Sequence, residues 1–258
     1  MLKGDVKLSA IEIFRRREQK YLITTKQYHA LIERLEPYMR PDKFGIDGHY
    51  TVTSLYFESP DKTIYFETKN KLDFRQKLRL RVYNDASLED PAFFEVKQKH
   101  NKVVNKRRML IPLKEAYRYL ENDSKVPLED YETSNLQVLK EIDHFRKLYQ
   151  LKPEMIVSYD RHALHGKTNP DFRMTFDLNL RTRNHNLKLE DGPYGQHFID
   201  PDLVVLEVKV DDSVPLWLTR ILQELECVQR SASKYCTSFE LLRSEEFINT
   251  ALNENTYI

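Results

Sequence analysis

Glycine is scarce, at 6 residues in 258. Neither a GxGxxG fingerprint nor a GxxxxGK(S/T) loop occurs, which excludes the two glycine-built phosphate cradles. Only two cysteines are present, Cys227 and Cys236, with no CxxC pair. That excludes a disulfide framework and suits a reducing cytosol, so a cytoplasmic location is expected. No run approaches the roughly 20 apolar residues of a membrane helix. The start of the chain lacks the continuous apolar core of a signal peptide. Attachment to the inner face of a membrane would therefore need a membrane-protein partner. Net charge is nearly absent too, with 41 basic against 40 acidic residues. That argues against a nucleic-acid partner met by a uniformly basic surface. A basic site, if there is one, must come from uneven placement of balanced charge.

What is present is charge in period two. The stretch 76–83 reads "QKLRLRVY". As a strand it puts Lys77, Arg79 and Arg81 on one face and Leu78, Leu80 and Val82 on the other. The pattern recurs at 92–99, where Glu95, Lys97 and Lys99 oppose Phe94 and Val96. It recurs at 203–210, where Glu207 and Lys209 oppose Leu206 and Val208. In the first strand, Arg16, Glu18 and Lys20 alternate with Tyr21 and Ile23. At 172–183, Arg173, Thr175, Asp177, Asn179, Arg181 and Arg183 share a parity against Met174, Phe176, Leu178 and Leu180. The segment 103–112 carries Lys106 and Arg108.

Periodicity places strands at 12–23, 51–59, 63–69, 76–83, 92–99, 103–112, 155–161, 172–183 and 203–210. It places helices at 26–36, 114–121, 133–149, 214–226 and from Ser233 onward, with a polar tail after Phe247. Asn101-Lys102 reads as a hairpin tip. Strands in runs with inserted helices imply an α+β fold built on a mainly antiparallel sheet. With no clear linker, one domain over 1–258 is the economical reading.

Two readings of the charged faces stay open on pattern alone. They are solvated, or they turn inward around a polyanion. Inward clusters of cations are costly unless an anion and water compensate them. Phosphate oxygens matched by Arg forks and Lys point charges would do so, and interspersed carboxylates could hold a divalent metal. No Ser-His-Asp or Cys-His arrangement and no HExxH motif is evident. His162 and His165 read as packing or surface residues. Tyr21, Tyr56 and Tyr159 read as buttresses of strands, and Trp217 as helix packing.

In order along the chain stand "REQKY" (17–21), "KLRLR" (77–81), "FFEVKQK" (93–99), "NKRR" (105–108), "SYDR" (158–161), "FRMTFD" (172–177), "LEVK" (206–209) and "SKY" (233–235). This ordered set resembles the catalytic domain of the vacuolar transporter chaperone (VTC) family, in the triphosphate tunnel metalloenzyme or CYTH-like superfamily. It spans about residues 12–242. The resemblance implies an antiparallel β-barrel forming a triphosphate tunnel, with helices packed outside. It implies a polyphosphate polymerase that moves the γ-phosphoryl of ATP onto inorganic polyphosphate and releases ADP. Lys234, Arg161 and Arg173 would act at the transferring phosphate. Lys20, Arg79, Arg81, Lys97, Lys106, Arg108 and Lys209 would grip substrate phosphates. Glu207 would bind Mn²⁺ or Mg²⁺, with Glu18, Glu95 and Asp177 assisting the metal or orienting the cations.

Two departures stand out. Eukaryotic relatives add an inositol-pyrophosphate-sensing SPX domain and membrane helices, neither of which is expected here. The first motif is "EQK" where many tunnel phosphatases have "ExExK", which favours the VTC branch. The alternatives are a triphosphate or nucleoside triphosphate hydrolase in the same tunnel, or a polyphosphate-binding module that turns over nothing.

Overall fold

The computed structural model describes residues 17–254 except 102, 123–125, 212, 231 and 232; for Arg17 and 245–254 it describes the backbone alone. Arg16 and the rest of the expected first strand up to 16 lie outside the described residues, as does Lys102 of the hairpin tip.

One antiparallel sheet organises the chain. Its strands are β1 (Arg17–Thr24), β2 (Met39–Pro41), β3 (His49–Glu58), β4 (Phe74–Tyr83), β5 (Pro91–His100), β6 (Val103–Pro112), β7 (Lys152–Gly166), β8 (Arg173–Arg183), β9 (Gln196–His197) and β10 (Leu203–Val210). Their spatial order is β1-β10-β8-β7-β3-β4-β5-β6, with β2 on β7 and β9 on β8. The helices are α1 (Thr25–Leu35), α2 (Thr63–Lys69), α3 (Leu113–Glu121), α4 (Leu136–Tyr149), α5 (Leu216–Glu224) and α6 (Lys234–Glu254). The fold is α+β.

The apolar face of each strand turns outward, under helices. Leu78, Leu80, Phe94, Met109 and Ile111 pack with Leu113 and Ala116 of α3 and Leu139 and Ile142 of α4. Met174, Phe176, Leu206 and Val208 pack with Leu31 and Leu35 of α1 and Leu218 and Leu222 of α5. Two helix starts are set by local chemistry. Thr24 and Gln27 form a capping box at α1, and the Asn135 side chain accepts from Val138 N–H at α4, each satisfying otherwise unpaired N–H groups.

The sheet curls until its two ends face each other. Lys97 on β5 lies within electrostatic reach of Glu18 and Lys20 on β1 and Lys209 on β10, although several strands separate them in the sheet order. Among the described residues β1 and β6 are not paired, so the expected barrel is not closed by a hydrogen-bonded seam.

Three sequence expectations are corrected. Residues 63–69 form α2 and not a strand. Its β-favouring composition is overridden because the buried carboxylate of Glu58 accepts from Ile64 N–H at 3.0 Å and Tyr65 N–H at 2.8 Å, capping a helix there. Strand β7 runs from Lys152 to Gly166, well beyond 155–161, and the short β2 and β9 carry no periodic signal. Finally, 172–183 does not keep one parity. Asn179 has a left-handed φ of 48°. Before this bulge Asp177 lies opposite Arg161, and after it Arg181 lies opposite Ser158. The bulge therefore turns Arg181 and Arg183 to the outer face. There Arg181 pairs with Asp160 at 2.8 Å. The buried Arg183 guanidinium donates to the carbonyls of Asn186, Lys188, Gly192 and Tyr194.

Candidate functional site

Strands β4, β5 and β6 form one charged wall. Register sets Arg79 opposite Glu95, and Glu95 opposite Arg108. The Glu95 carboxylate is buried, at 1% exposure. Arg79 Nε donates to it at 2.6 Å, Lys106 Nζ lies 2.5 Å away and Arg108 Nε 3.4 Å away. Burial alone would raise this carboxyl, but Arg79, Arg81 and Lys106 hold it well below the usual range. Among the described residues Arg81 has no carboxylate partner. Its Nε donates to Ser54 Oγ at 2.9 Å and its NH2 group to the Tyr159 hydroxyl at 3.2 Å.

The facing wall comes from β1, β10, β8 and β7. Lys20 lies opposite Glu207 and Glu18 opposite Lys209. Glu207 Oε1 accepts from Lys20 Nζ at 2.9 Å and Lys234 Nζ at 3.3 Å, while Lys209 Nζ stands 3.1 Å from Oε2. Lys234, Lys209 and Lys20 overcome the upward push of burial and keep Glu207 well below the carboxylate range. Asp177, fully buried, accepts from Arg161 Nε at 2.6 Å and NH2 at 2.8 Å, a two-pronged pair. Lys234 Nζ adds a third contact at 2.6 Å. Glu18 Oε1 contacts Lys20 Nζ at 3.0 Å.

Tyrosines order these cations. The Tyr56 hydroxyl accepts from Arg79 NH1 at 3.1 Å. Burial pushes its pKa upward, but Arg79 and Arg81 pull it down to about 8. Arg173 NH2 donates to Asp42 Oδ2 at 2.9 Å and to the Tyr50 hydroxyl at 3.0 Å. Lys234 begins α6, which is clasped from below: the next residue, Tyr235, donates its hydroxyl to Glu58, the same carboxylate that caps α2.

Of the residues singled out from the sequence, Arg79, Lys106 and Arg108 gather on Glu95, Lys20, Lys209 and Lys234 on Glu207, and Arg161 and Lys234 on Asp177, whereas Arg173 pairs with Asp42. Sequence reading missed Tyr50 and Asp42, which hold Arg173. It undervalued Lys77, whose parity already marked it. His162 is a packing residue, accepting or donating with the Tyr28 hydroxyl at 3.0 Å and stacking on His49 with ring centroids 3.9 Å apart.

The carboxylates differ in their fitness for a metal. Asp177 and Glu95 are surrounded by guanidinium and ammonium groups and act as counter-ions that orient them. Glu207 and Glu18 lie near enough to repel each other and, among the described residues, form ion pairs with lysines alone. Among the described residues no three His, Cys, Asp or Glu side chains gather as a metal site. Two carboxylates still suffice for Mg²⁺ or Mn²⁺ when phosphate oxygens and water complete the shell.

The family model of the VTC domain matches residues 15–243. A solved structure of HpAC1 from Hippeastrum, described as an adenylyl cyclase with a dominant triphosphatase activity, is similar over 86% of this chain and 94% of its own, at 16% identity and a TM-score of 0.52. The PH1819 protein from Pyrococcus horikoshii OT3 is similar over 89% of this chain and 99% of its own, at 14% identity and a TM-score of 0.43. The HpAC1 likeness is one of fold. No curated protein matches. No helix among the described residues is long and apolar enough to cross a membrane.

Proposed function

The chain belongs to the VTC domain family, and on that premise we propose that it is a polyphosphate polymerase using ATP as phosphoryl donor. The observation carrying this reading is the lumen itself. Cations from both walls outnumber the four carboxylates Glu18, Glu95, Asp177 and Glu207 and face inward, where only a polyanion can balance them.

The chemistry asks for no protein nucleophile. A terminal oxygen of the polyphosphate attacks the γ-phosphorus of ATP, the bond from that phosphorus to the β–γ bridging oxygen breaks, and ADP leaves with that electron pair. Rate comes from alignment and from charge compensation in the transition state. Arg161 and Lys234, anchored on Asp177, meet the transferring group. Arg79 and Arg81, fixed by Glu95, Tyr56, Ser54 and Tyr159, present forks to neighbouring phosphates. Arg173 receives phosphates near Tyr50. Glu207, with Glu18 beside it, would hold Mn²⁺ or Mg²⁺, which would supply positive charge to offset the negative charge of the phosphates.

Incubation with ATP and Mn²⁺ tests the reading. Long chains with ADP are expected. Phosphate and short products alone would make the protein a hydrolase, and tight polymer binding without turnover would make it a binding module. Glu207→Gln should abolish turnover while polyphosphate binding persists, because the cations remain. Unchanged metal-dependent turnover in that variant overturns the metal assignment.

A further inference from the structure

The lumen cations divide into two kinds. Lys20, Arg79, Lys106, Arg108, Arg161, Arg173, Lys209 and Lys234 each contact a carboxylate of the chain. Among the described residues three contact none: Arg81, held by the Ser54 and Tyr159 hydroxyls, and the pair Lys77 and Lys97. The two lysines lie directly opposite each other on β4 and β5, and Lys97 in turn lies opposite Lys106 on β6. Three lysines thus stand in one row across the sheet. One step along the strands, the row Arg79, Glu95, Arg108 alternates in sign.

Like charges directly opposite in a sheet are destabilising. Solvation relieves this on an open face, but Lys77 is not on one. Its ammonium stands 4.8 Å from the centre of the Tyr235 ring, under the start of α6. The groups facing it are Tyr56 from β3, Lys97 from β5, Lys20 from β1 and Tyr235 and Cys236 from α6. None is a carboxylate. Lys97 is exposed to the lumen.

We infer that Lys77 and Lys97 form a phosphate subsite of their own, a pair of opposed lysines that no carboxylate of the chain contacts directly and to which a polyphosphate chain supplies the contact. This rests on the tunnel reading above and adds Lys77 to its ligands. One physical consequence supports it. Burial, with Lys97 and Lys20 adding to it, pushes the free Lys77 ammonium down to about 8. A phosphate placed beside it raises that value, so binding near pH 8 takes up a proton. Affinity therefore falls as pH rises through about 8, a decline to which Lys106, pushed down by burial to about 7, and Tyr56, at about 8, also contribute, so that loss of Lys77 removes part of it.

The test is calorimetric titration of the whole chain with long-chain inorganic polyphosphate, using Lys77→Gln and Lys77→Arg beside the unaltered protein. Lys77→Gln should weaken binding by about tenfold or more. It should lower the slope of log Kd against log salt by about one. It should make the decline in affinity across pH 7.5 to 8.5 shallower. Its melting temperature should not fall, because a repulsion has been removed. Lys77→Arg should recover most of the affinity. Binding by Lys77→Gln equal to that of the unaltered protein overturns the subsite, as does Lys77→Arg binding no better than Lys77→Gln. If the unaltered protein binds no polyphosphate, the tunnel reading falls with it.

Discussion

At the scale of the residue, burial and partners separate look-alike groups. Glu95 and Glu207 share the sequence E-x-K, yet Glu95 is locked among Arg79, Lys106 and Arg108 while Glu207 meets lysines alone. His162 and His165 also look alike in the sequence and diverge in the fold. Burial, then the neighbouring His49, pushes His162 down to about 4. An unfolded histidine titrates near 6.5. Neutral His162 therefore contributes fully above about pH 6.5, and that stability drains as pH falls toward about 4, because the unfolded chain takes up the proton first. The loss should reach about 3 kcal/mol. Urea unfolding between pH 7 and pH 5 should show roughly 2 kcal/mol of it, and His162→Gln should flatten the slope. An equal slope in both proteins would assign it elsewhere.

Among the elements, β4 is the clearest instance of sequence turned into function. Its alternation places Leu78 and Leu80 under the helices and Lys77, Arg79 and Arg81 in the lumen. Two classes of substitution should separate accordingly. Leu80→Ala should cost about 2–5 kcal/mol of stability and leave binding intact in the fraction that folds. Arg79→Ala should weaken triphosphate binding with a smaller change in stability. Arg79→Lys should not rescue it, since an ammonium lacks the planar fork that meets Glu95 and a phosphate together. Normal triphosphate binding by Arg79→Ala would return this face to a structural role. Helix α2 teaches the opposite lesson. "TIYFETK" has strand composition, and the carboxylate that makes it a helix, Glu58, also grips Tyr235 some 177 residues away. No local window holds that information.

For the whole molecule, the decisive feature is a sheet curled so that like charges converge. That convergence loads the lumen electrostatically, and a polyanion should stabilise the fold as well as bind it. Tripolyphosphate at about 100 times its Kd should add about 2.7 kcal/mol. In a thermal melt this appears as a raised Tm, and the rise should shrink as salt increases, since screening weakens the lumen's field. A shift that is absent at saturation, or indifferent to salt, would contradict the convergence of charge.

The sequence by itself determined which residues share a strand face, because side-chain direction in an extended chain is fixed by parity alone. That sufficed for the cations of β4 and β5, for Glu207 and Lys209, and for the apolar strips that the helices cover. It failed where parity is interrupted, as at the Asn179 bulge that sends Arg181 and Arg183 outward. Only the tertiary structure decided that the charged faces turn inward, that Asp177 and Glu95 are spent as counter-ions, and that Lys77 faces no carboxylate. Those are relations across strands far apart in the chain. They arise from the curl of the sheet and the insertion of α6, which bring β1 and β5 within electrostatic reach.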